Sequence, residues 1–328
     1  MAQPQQRPAA GVVRFYNFLP AGASFLGEVL AGLARPQKTL PTKYFPHAQA
    51  TDSRATLSGP SGASPAGIEL SIMREHAAAM AAFLGPDCQL IELGCAAARL
   101  AGTLIGPLQP SLYVPVDVSA EATQAAAAGL AQTFPWLNIC GVWADYTGPL
   151  VLPTFTGVPI NKKVVYLPGS TLGQFTPQEA TGLLQLARRL VGAGGALLVG
   201  VGLKKDRASA QAACNDPPGA AAAFKLDPLE RINRELGGDF QLRRFCPRAA
   251  YDADRGWIAM YIESLASQFV HVGGVRLSFS QGETLLAAIS CMHGVDEFRA
   301  LAQRAGFAPA QTWTDAANRF SVHGMIAV

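Results

Sequence analysis

The sequence predicts a doubly wound α/β fold that carries a second, smaller α+β lobe. Two observations support this prediction: short apolar runs alternate with helical segments between residues 76 and 203, and the alternation stops after Leu203. Alternating strands and helices predict a parallel sheet with helices on both of its faces. The 328 residues suffice for one large core and a substantial second unit.

Local patterns predict each element of the core. Residues 58–67 are rich in Gly, Ser and Pro and predict a loop, whereas helical spacing and a high Ala content predict a helix over residues 69–84. Residues 89–95 form a short apolar run with a glycine near its end, which is typical of a buried parallel strand. The same patterns predict strands over residues 111–119, 138–146, 163–170 and 195–203, and helices over residues 120–134 and 176–191. This order is Rossmann-like.

The chain is expected to pass twice between the core and the second lobe. We assign residues 1–75 and 204–285 to the lobe, residues 76–203 to the core, and residues 286–328 to a return into the core. The lobe insertion contains β-rich segments that we expect to pair antiparallel. The predicted elements after residue 204 are helices over residues 228–236 and 296–305, β-rich segments over residues 257–265 and 269–279, and a strand over residues 319–328.

Composition and charge exclude several classes of function. The net charge is only +3 and the Lys and Arg residues are scattered, so we expect neither nucleic acid nor a membrane surface as a partner. The six cysteines form no CxxC pair and the five histidines are isolated, so no metal site is expected. No run of about 18 apolar residues and no leader pattern occur, and we therefore expect a cytoplasmic protein, stable as a monomer.

Ligands of doubly wound folds bind at the carboxyl ends of the strands, and several residues there are informative. Gly94, in the run ELGCAAAR, permits a tight turn, although a dinucleotide fingerprint would need two further glycines. Asp117 ends the next strand and is suited to accept the ribose hydroxyls of an adenosine. Asp145 and Tyr146 follow the third strand and could contact an adenine. Either Asp could instead cap a helix, but Ser119 is a competing cap that would free Asp117.

The fourth strand end carries the turn PGSTLGQ at residues 168–174, in which Gly169 and Ser170 can present backbone groups to a pocket. This turn is one of several segments that, in this order, resemble the histidine Nα-methyltransferase family of ergothioneine biosynthesis. The similarity runs from LPTKYF at residues 40–45 almost to the carboxyl terminus. The other segments are YVPVDVSAE at 113–121, NDPPGAAAAF at 215–224, NRELGGDF at 233–240 and WTDAANRFSVH at 313–323.

The resemblance implies an S-adenosylmethionine-dependent methyltransferase core, a substrate lobe and a role in small-molecule biosynthesis. It implies that Gly94 and Asp117 bind the cofactor, and that Gly169 in the PGST turn contacts both the cofactor and the substrate. The other cofactor contacts that it implies are Asp145 and Tyr146 at the adenine, and Tyr44 and Ser170 near the methionine end.

The sequence departs from the family's pattern at residues that the resemblance assigns to the substrate. Gln174 stands where the family has Asn, and Cys214 replaces a Tyr. Ala288 replaces a Glu that reads the imidazole, although the neighbouring Ser290 remains. When a buried N–H of a ligand loses its acceptor, the binding free energy is weakened by roughly 1 to 3 kcal/mol. We therefore expect histidine to be a poor substrate and a bulkier or uncharged amine, such as an aromatic amino acid derivative, to be preferred.

Methyl transfer from a sulfonium is an in-line displacement that needs no metal. If a base or an orienting group assists, the candidates are Ser290, His293, Asp216 and His47. Two alternatives stay open at this point. One is a catalytically degenerate methyltransferase-fold protein that only binds its ligand, and the other is a nicotinamide-dependent oxidoreductase on the same fold.

Overall fold

The centre of the molecule is a large, mostly parallel sheet. The computed structural model describes residues 11–19, 24–45, 64–95, 99–204, 226–252 and 255–328. The strands are β1 (Val13–Asn17), β2 (Lys38–Thr39), β3 (Cys88–Leu93), β4 (Leu112–Asp117), β5 (Asn138–Trp143), β6 (Lys162–Leu167), β7 (Ala196–Gly202), β8 (Phe245–Asp252), β9 (Trp257–Ser264), β10 (Gln268–Val272), β11 (Val275–Phe279), β12 (Thr284–Cys291), β13 (Phe307–Thr314) and β14 (Phe320–Ala327).

Eight of these strands form the large sheet in the order β1-β5-β4-β3-β6-β7-β14-β13. Neighbouring strands pair in parallel from β1 to β7, and β14 and β13 add two antiparallel strands. All six residues of β3 and of β4 are buried, because helices cover both faces of the sheet. The predicted doubly wound fold is confirmed.

Helices pack against the large sheet through two clusters of buried apolar side chains. One cluster contains Leu184 and Phe298, and the other contains Ile72 and Leu104. None of the described helices is long and apolar enough to cross a membrane. The helices are α1 (Phe25–Leu33), α2 (Pro65–Leu84), α3 (Arg99–Leu108), α4 (Ala120–Thr133), α5 (Gly169–Leu172), α6 (Pro177–Val191), α7 (Asp227–Leu236) and α8 (Val295–Arg304).

The second lobe is built on a four-stranded sheet in the order β2-β12-β9-β8, together with the hairpin β10-β11. Strands β8, β9 and β12 pair antiparallel, as predicted for the insertion. A third apolar cluster packs α1 and α7 against these strands through residues such as Val29, Leu229 and Met260. The lobe therefore has its own core.

The structure differs from the predicted boundaries in three places. Strand β1 joins the large sheet beside β5, although we assigned residues 1–75 to the lobe. Helix α2 begins before the predicted residue 69, because Ser64 caps it by accepting from the Gly67 amide at 3.1 Å, so the predicted loop cannot extend past Ser64. Strand β12 crosses the predicted boundary at 285/286 and pairs within the lobe. The chain therefore returns to the core after Cys291, with α8.

Candidate functional site

A cavity of about 360 Å³ lies at the carboxyl ends of β3 to β6, where ligands of this fold are expected. We call it the strand-end cavity. Residues that follow four neighbouring strands meet there, and the lobe closes it from the other side. Its lining residues are Phe25, Thr42, Lys43, Tyr44, Gly94, Asp117, Val118, Ser119, Ala120, Glu121, Ala122, Tyr146, Ser170, Thr171, Gln174, Arg231 and Glu235.

Gly94 is required at the end of β3 for two reasons. Its φ of +84° lies in the left-handed region, which residues with a side chain rarely adopt. A Cβ atom at this position would also lie 2.4 Å from Oγ1 of Thr171 and 2.9 Å from the hydroxyl oxygen of Tyr146. The glycine thus lets the turns after β3, β5 and β6 approach one another around the cavity.

Asp117 ends β4 and faces the strand-end cavity with a carboxylate that backbone amides hold in place. Its oxygens accept from the amides of Cys95 at 3.2 Å and Ser119 at 2.9 Å. Burial raises the pKa of the carboxyl, and these backbone hydrogen bonds oppose that rise. The side chain of Ser119 caps α4 by accepting from the Ala122 amide, as the sequence suggested, so Asp117 is not the cap.

Asp145 does not line the strand-end cavity, whereas the adjacent Tyr146 does. One carboxylate oxygen of Asp145 lies 2.6 Å from the ammonium of Lys43, and the other accepts from the amide and hydroxyl of Thr147. Burial would raise the pKa of Asp145, but the hydrogen bonds from Lys43 and Thr147 outweigh it and the pKa is lowered. Both carboxylate oxygens of Asp145 are thus engaged within the chain, and its contact with an adenine stays a prediction.

Lys43 connects the lobe to the core. Its ammonium lies 2.7 Å from Glu28 on α1 and 2.6 Å from Asp145 after β5. Burial would lower the pKa of Lys43, but the hydrogen bonds to Asp145 and Glu28 outweigh it and the pKa is raised. The neighbouring Tyr44 donates its hydroxyl to Glu28 at 3.0 Å and lines the strand-end cavity.

Gly169 is buried, and a buried carboxylate holds its backbone. Its amide is 3.2 and 3.1 Å from the two oxygens of Glu69, and the hydroxyl of Tyr166 donates to the same carboxylate at 3.0 Å. Burial raises the pKa of Glu69 to about 7. Gly169 lines neither described cavity, whereas Ser170 does. Sequence reasoning missed Glu69, since one Glu within a helical pattern carries no signal of burial.

A second cavity, of about 680 Å³, lies between the lobe and the core, and we call it the lobe cavity. It shares Thr42, Lys43 and Gln174 with the strand-end cavity, so the two adjoin. Ala288, one of the predicted substrate residues, lies in its wall. The remaining lining residues are Glu28, Ala31, Gly32, Arg35, Thr39, Leu40, Pro41, Thr147, Phe175, Thr176, Glu179, Trp257, Leu286, Ala287 and Ile289.

Other candidate residues lie elsewhere. Neither Ser290 nor His293 is among the described lining residues of the two cavities, although both belong to or follow β12. His293 is buried beneath Phe298, burial lowers the pKa of its imidazole, and its Nε2 atom has no hydrogen-bond partner among the described residues. This position does not suit a base that must reach a substrate. The candidates His47, Cys214 and Asp216 lie outside the described residues.

The strand-end cavity fits an adenosyl ligand by its own chemistry. Its volume is within the range of small-molecule sites, roughly 300 to 1,000 Å³. The carboxylate of Asp117 accepts from the amides of Cys95 and Ser119 and from the Cys95 thiol, and its Oδ1 atom retains acceptor capacity for a ribose hydroxyl. The aromatic ring of Tyr146 in the same wall is suited to pack against a base.

Sequence comparisons with known proteins agree with this chemistry. The sequence model of a family described as "Histidine-specific methyltransferase, SAM-dependent" matches residues 25–327. The chain is 29% identical over 304 residues to a histidine N-alpha-methyltransferase of Mycolicibacterium smegmatis, which covers 90% of this chain and 92% of that protein. A histidine N-alpha-methyltransferase of Mycobacterium tuberculosis is also 29% identical, over 302 residues that cover 90% of this chain and 92% of that protein. Among solved structures, the CcbJ methyltransferase of Streptomyces caelestis is 17% identical with a TM-score of 0.48, covering 83% of this chain and 100% of its own.

Proposed function

The chain belongs to the family of SAM-dependent, histidine-specific methyltransferases, and from the lining of its lobe cavity we propose that it methylates the amino group of a small acceptor other than histidine. The acceptor is an amino acid or an amine-containing metabolite with an apolar side group. One observation carries the proposal: Ala288 and its strand neighbours Leu286 and Ile289 give the lobe cavity an apolar stretch of wall, although charged residues such as Glu28, Arg35 and Glu179 line it as well. The family match supports neither a pure binding protein nor a nicotinamide enzyme.

The strand-end cavity is the proposed place of S-adenosylmethionine, which supplies a methyl group on a sulfonium when bound. Asp117 accepts from the ribose hydroxyls, and Tyr146 packs beside the adenine. Tyr44 and Ser170 line the part of the cavity next to the lobe. Asp145 acts indirectly, because it holds Lys43 and thereby the segment that contains Tyr44.

The acceptor amine is placed where the two cavities adjoin, at Gln174 and Lys43. An in-line displacement requires that the nitrogen lone pair face the methyl carbon without intervening water. The amine must lose a proton first, and burial lowers the pKa of its ammonium in that direction. The side chain of Gln174 is held by a hydrogen bond from its amide nitrogen to the Ser170 carbonyl at 2.7 Å, so its own carbonyl oxygen can accept from the amine.

Histidine fits this cavity poorly for a physical reason. Alanine at position 288 offers no acceptor to an imidazole N–H, and its side chain is buried at 3% exposure. An unpaired buried N–H costs roughly 1 to 3 kcal/mol, which corresponds to about a five- to 150-fold loss. An apolar side group at the same place loses no hydrogen bond.

Incubation with isotopically labelled S-adenosylmethionine and a panel of amino acids and amines tests the proposal. We expect apolar or aromatic amines to gain label and histidine to gain little, with product identity read by mass spectrometry. Ala288→Glu should improve kcat/KM for histidine by about tenfold, whereas the uncharged Ala288→Gln, of matched size, should improve it less. Efficient methylation of histidine by the unmodified enzyme would overturn the proposal.

A further inference from the structure

Two cations line the strand-end cavity among the residues that the structure describes, and their surroundings differ in charge. Lys43 lies between two carboxylates, those of Glu28 and Asp145, at 2.7 and 2.6 Å. This cluster therefore carries one net negative charge when all three groups are ionised. It is suited to face the cationic part of a ligand rather than an anion.

Arg231, on α7 of the lobe, is the second cation, and it shares its carboxylate partner with another arginine. Its Nε atom lies 3.1 Å from both carboxylate oxygens of Glu235. The same carboxylate also accepts from Arg234 at 2.8 Å, so two guanidinium groups share one carboxylate. Burial would raise the pKa of Glu235, but the hydrogen bonds from Arg234 and Arg231 outweigh it and the pKa is lowered. Arg231 and Glu235 line the cavity, whereas Arg234 does not and is 68% exposed, so solvent screens its charge.

The guanidinium of Arg231 is held in place, which reduces the entropy that ligand binding would cost. Its Nη1 atom donates to the backbone carbonyl of Tyr44. The group also lies over the rings of Phe25 and Phe45, at 5.1 and 5.9 Å from their centroids. An arginine held from several sides is a pre-organised binding group rather than a mobile surface charge.

Arg231 retains hydrogen-bonding capacity after these contacts. A guanidinium has five N–H donors, and the named contacts use Nε and Nη1. Its Nη2 atom has no hydrogen-bond partner among the described residues. Burial raises the pKa of the Asp117 carboxyl, and the positive charge of Arg231 has a smaller, opposite effect. Arg231 and Asp117 thus line the same cavity and can contact the same ligand.

We propose that Arg231 binds the carboxylate at the amino-acid end of the methyl donor, while the Lys43 cluster faces the cationic groups of that end. The proposal rests on the use of S-adenosylmethionine by this family. A planar guanidinium matches the geometry of a carboxylate, which an ammonium cannot do. Arg231 would thereby make cofactor binding depend on the docking of α7, since the helix belongs to the lobe and the strand ends that line the cavity belong to the core.

Calorimetric titration with two ligands tests this assignment without turnover. S-adenosylhomocysteine carries the carboxylate, and 5′-methylthioadenosine lacks the whole amino-acid end. We expect Arg231→Ala to weaken binding of S-adenosylhomocysteine by about tenfold or more, and binding of methylthioadenosine by less than about threefold. Arg231→Lys keeps the charge without the planar group. Its affinity for S-adenosylhomocysteine should lie between those of the unmodified protein and of Arg231→Ala.

Arg234→Ala is the matched control, because Arg234 lies on the same helix, shares Glu235 and is 68% exposed. It should change either affinity by less than about twofold. An equal loss for both ligands, or no loss for S-adenosylhomocysteine, in Arg231→Ala or Arg231→Lys would overturn the assignment. Failure of the unmodified protein to bind S-adenosylhomocysteine would overturn the cofactor site as well, so the two failures are distinguishable.

Discussion

Single residues at the strand ends show what local sequence can and cannot predict. Gly94, Asp117 and Tyr146 were all predicted from their positions after apolar runs, and the structure brings them together in one cavity. Asp145 satisfied the same criterion, yet it pairs with Lys43, which is 102 residues away in sequence. A contact across that separation leaves no local pattern, so its effect on Asp145 could not be predicted.

Gly94 gives a test at the residue scale. Gly94→Ala should weaken binding of S-adenosylhomocysteine by about tenfold or more, because the new Cβ atom would displace Thr171 and strain the turn. Gly85→Ala is the control, since Gly85 also has a positive φ but no atom lies within 4 Å of a built Cβ. Calorimetry and thermal unfolding should show both variants destabilised by roughly 1 to 3 kcal/mol and only Gly94→Ala impaired in binding. Equal affinities in the two variants would contradict this role.

Elements that form continuous apolar runs were predicted well, and elements with mixed patterns were not. Strands β3 and β4 are buried at all their residues, which makes them visible in sequence. Strand β1 is an edge strand with mostly exposed side chains, so its pairing with β5 had no apolar signature. The turn after β6 was recognised as unusual, but its geometry depends on Glu69 of α2, an element far from it in sequence.

The buried carboxylate that holds this turn gives a pH prediction. Burial raises the pKa of Glu69 from 4.5 to about 7, so the folded state keeps a proton that the unfolded state releases. Stability should therefore fall as pH rises from about 4.5 to 7, and Glu69→Gln should reduce that fall by roughly 1 to 3 kcal/mol. Glu92, whose pKa burial raises to about 8, would add to the same fall.

Urea unfolding across this pH range measures the effect. Glu75→Gln is the control, since Glu75 lies on the same helix with its side chain 75% exposed. It should leave the pH dependence of the unfolding free energy unchanged. A Glu69→Gln profile that is parallel to that of the unmodified protein would show that Glu69 does not titrate as described.

On the scale of the whole molecule, the lobe and the core form the site together. The strand-end cavity combines strand ends of the core with Tyr44 and Arg231 of the lobe, and the lobe cavity adds Ala288 of β12. The alternation of elements predicted that two units exist. It could not predict which of their faces meet, because that depends on side chains such as Lys43 that bridge the two.

This bridge can be tested against a similar ion pair inside the lobe. Lys43→Met should lower the unfolding free energy by roughly 1 to 3 kcal/mol, since it leaves Glu28 and Asp145 without their cation, and it should also weaken binding of S-adenosylhomocysteine. Lys38→Met breaks the comparably buried pair with Glu283, which lines neither cavity. This variant should lower the unfolding free energy without changing the affinity for S-adenosylhomocysteine. Loss of ligand affinity in both variants would argue against a bridge specific to the site.

The most direct test of the account is calorimetric titration of the unmodified protein and of Asp117→Ala with S-adenosylhomocysteine and with NAD. The unmodified protein should bind S-adenosylhomocysteine and not NAD, and Asp117→Ala should weaken that binding by about tenfold or more, because the ribose hydroxyls lose their acceptor. Unchanged affinity in Asp117→Ala, or a preference for NAD, would contradict the assignment of the strand-end cavity to the methyl donor.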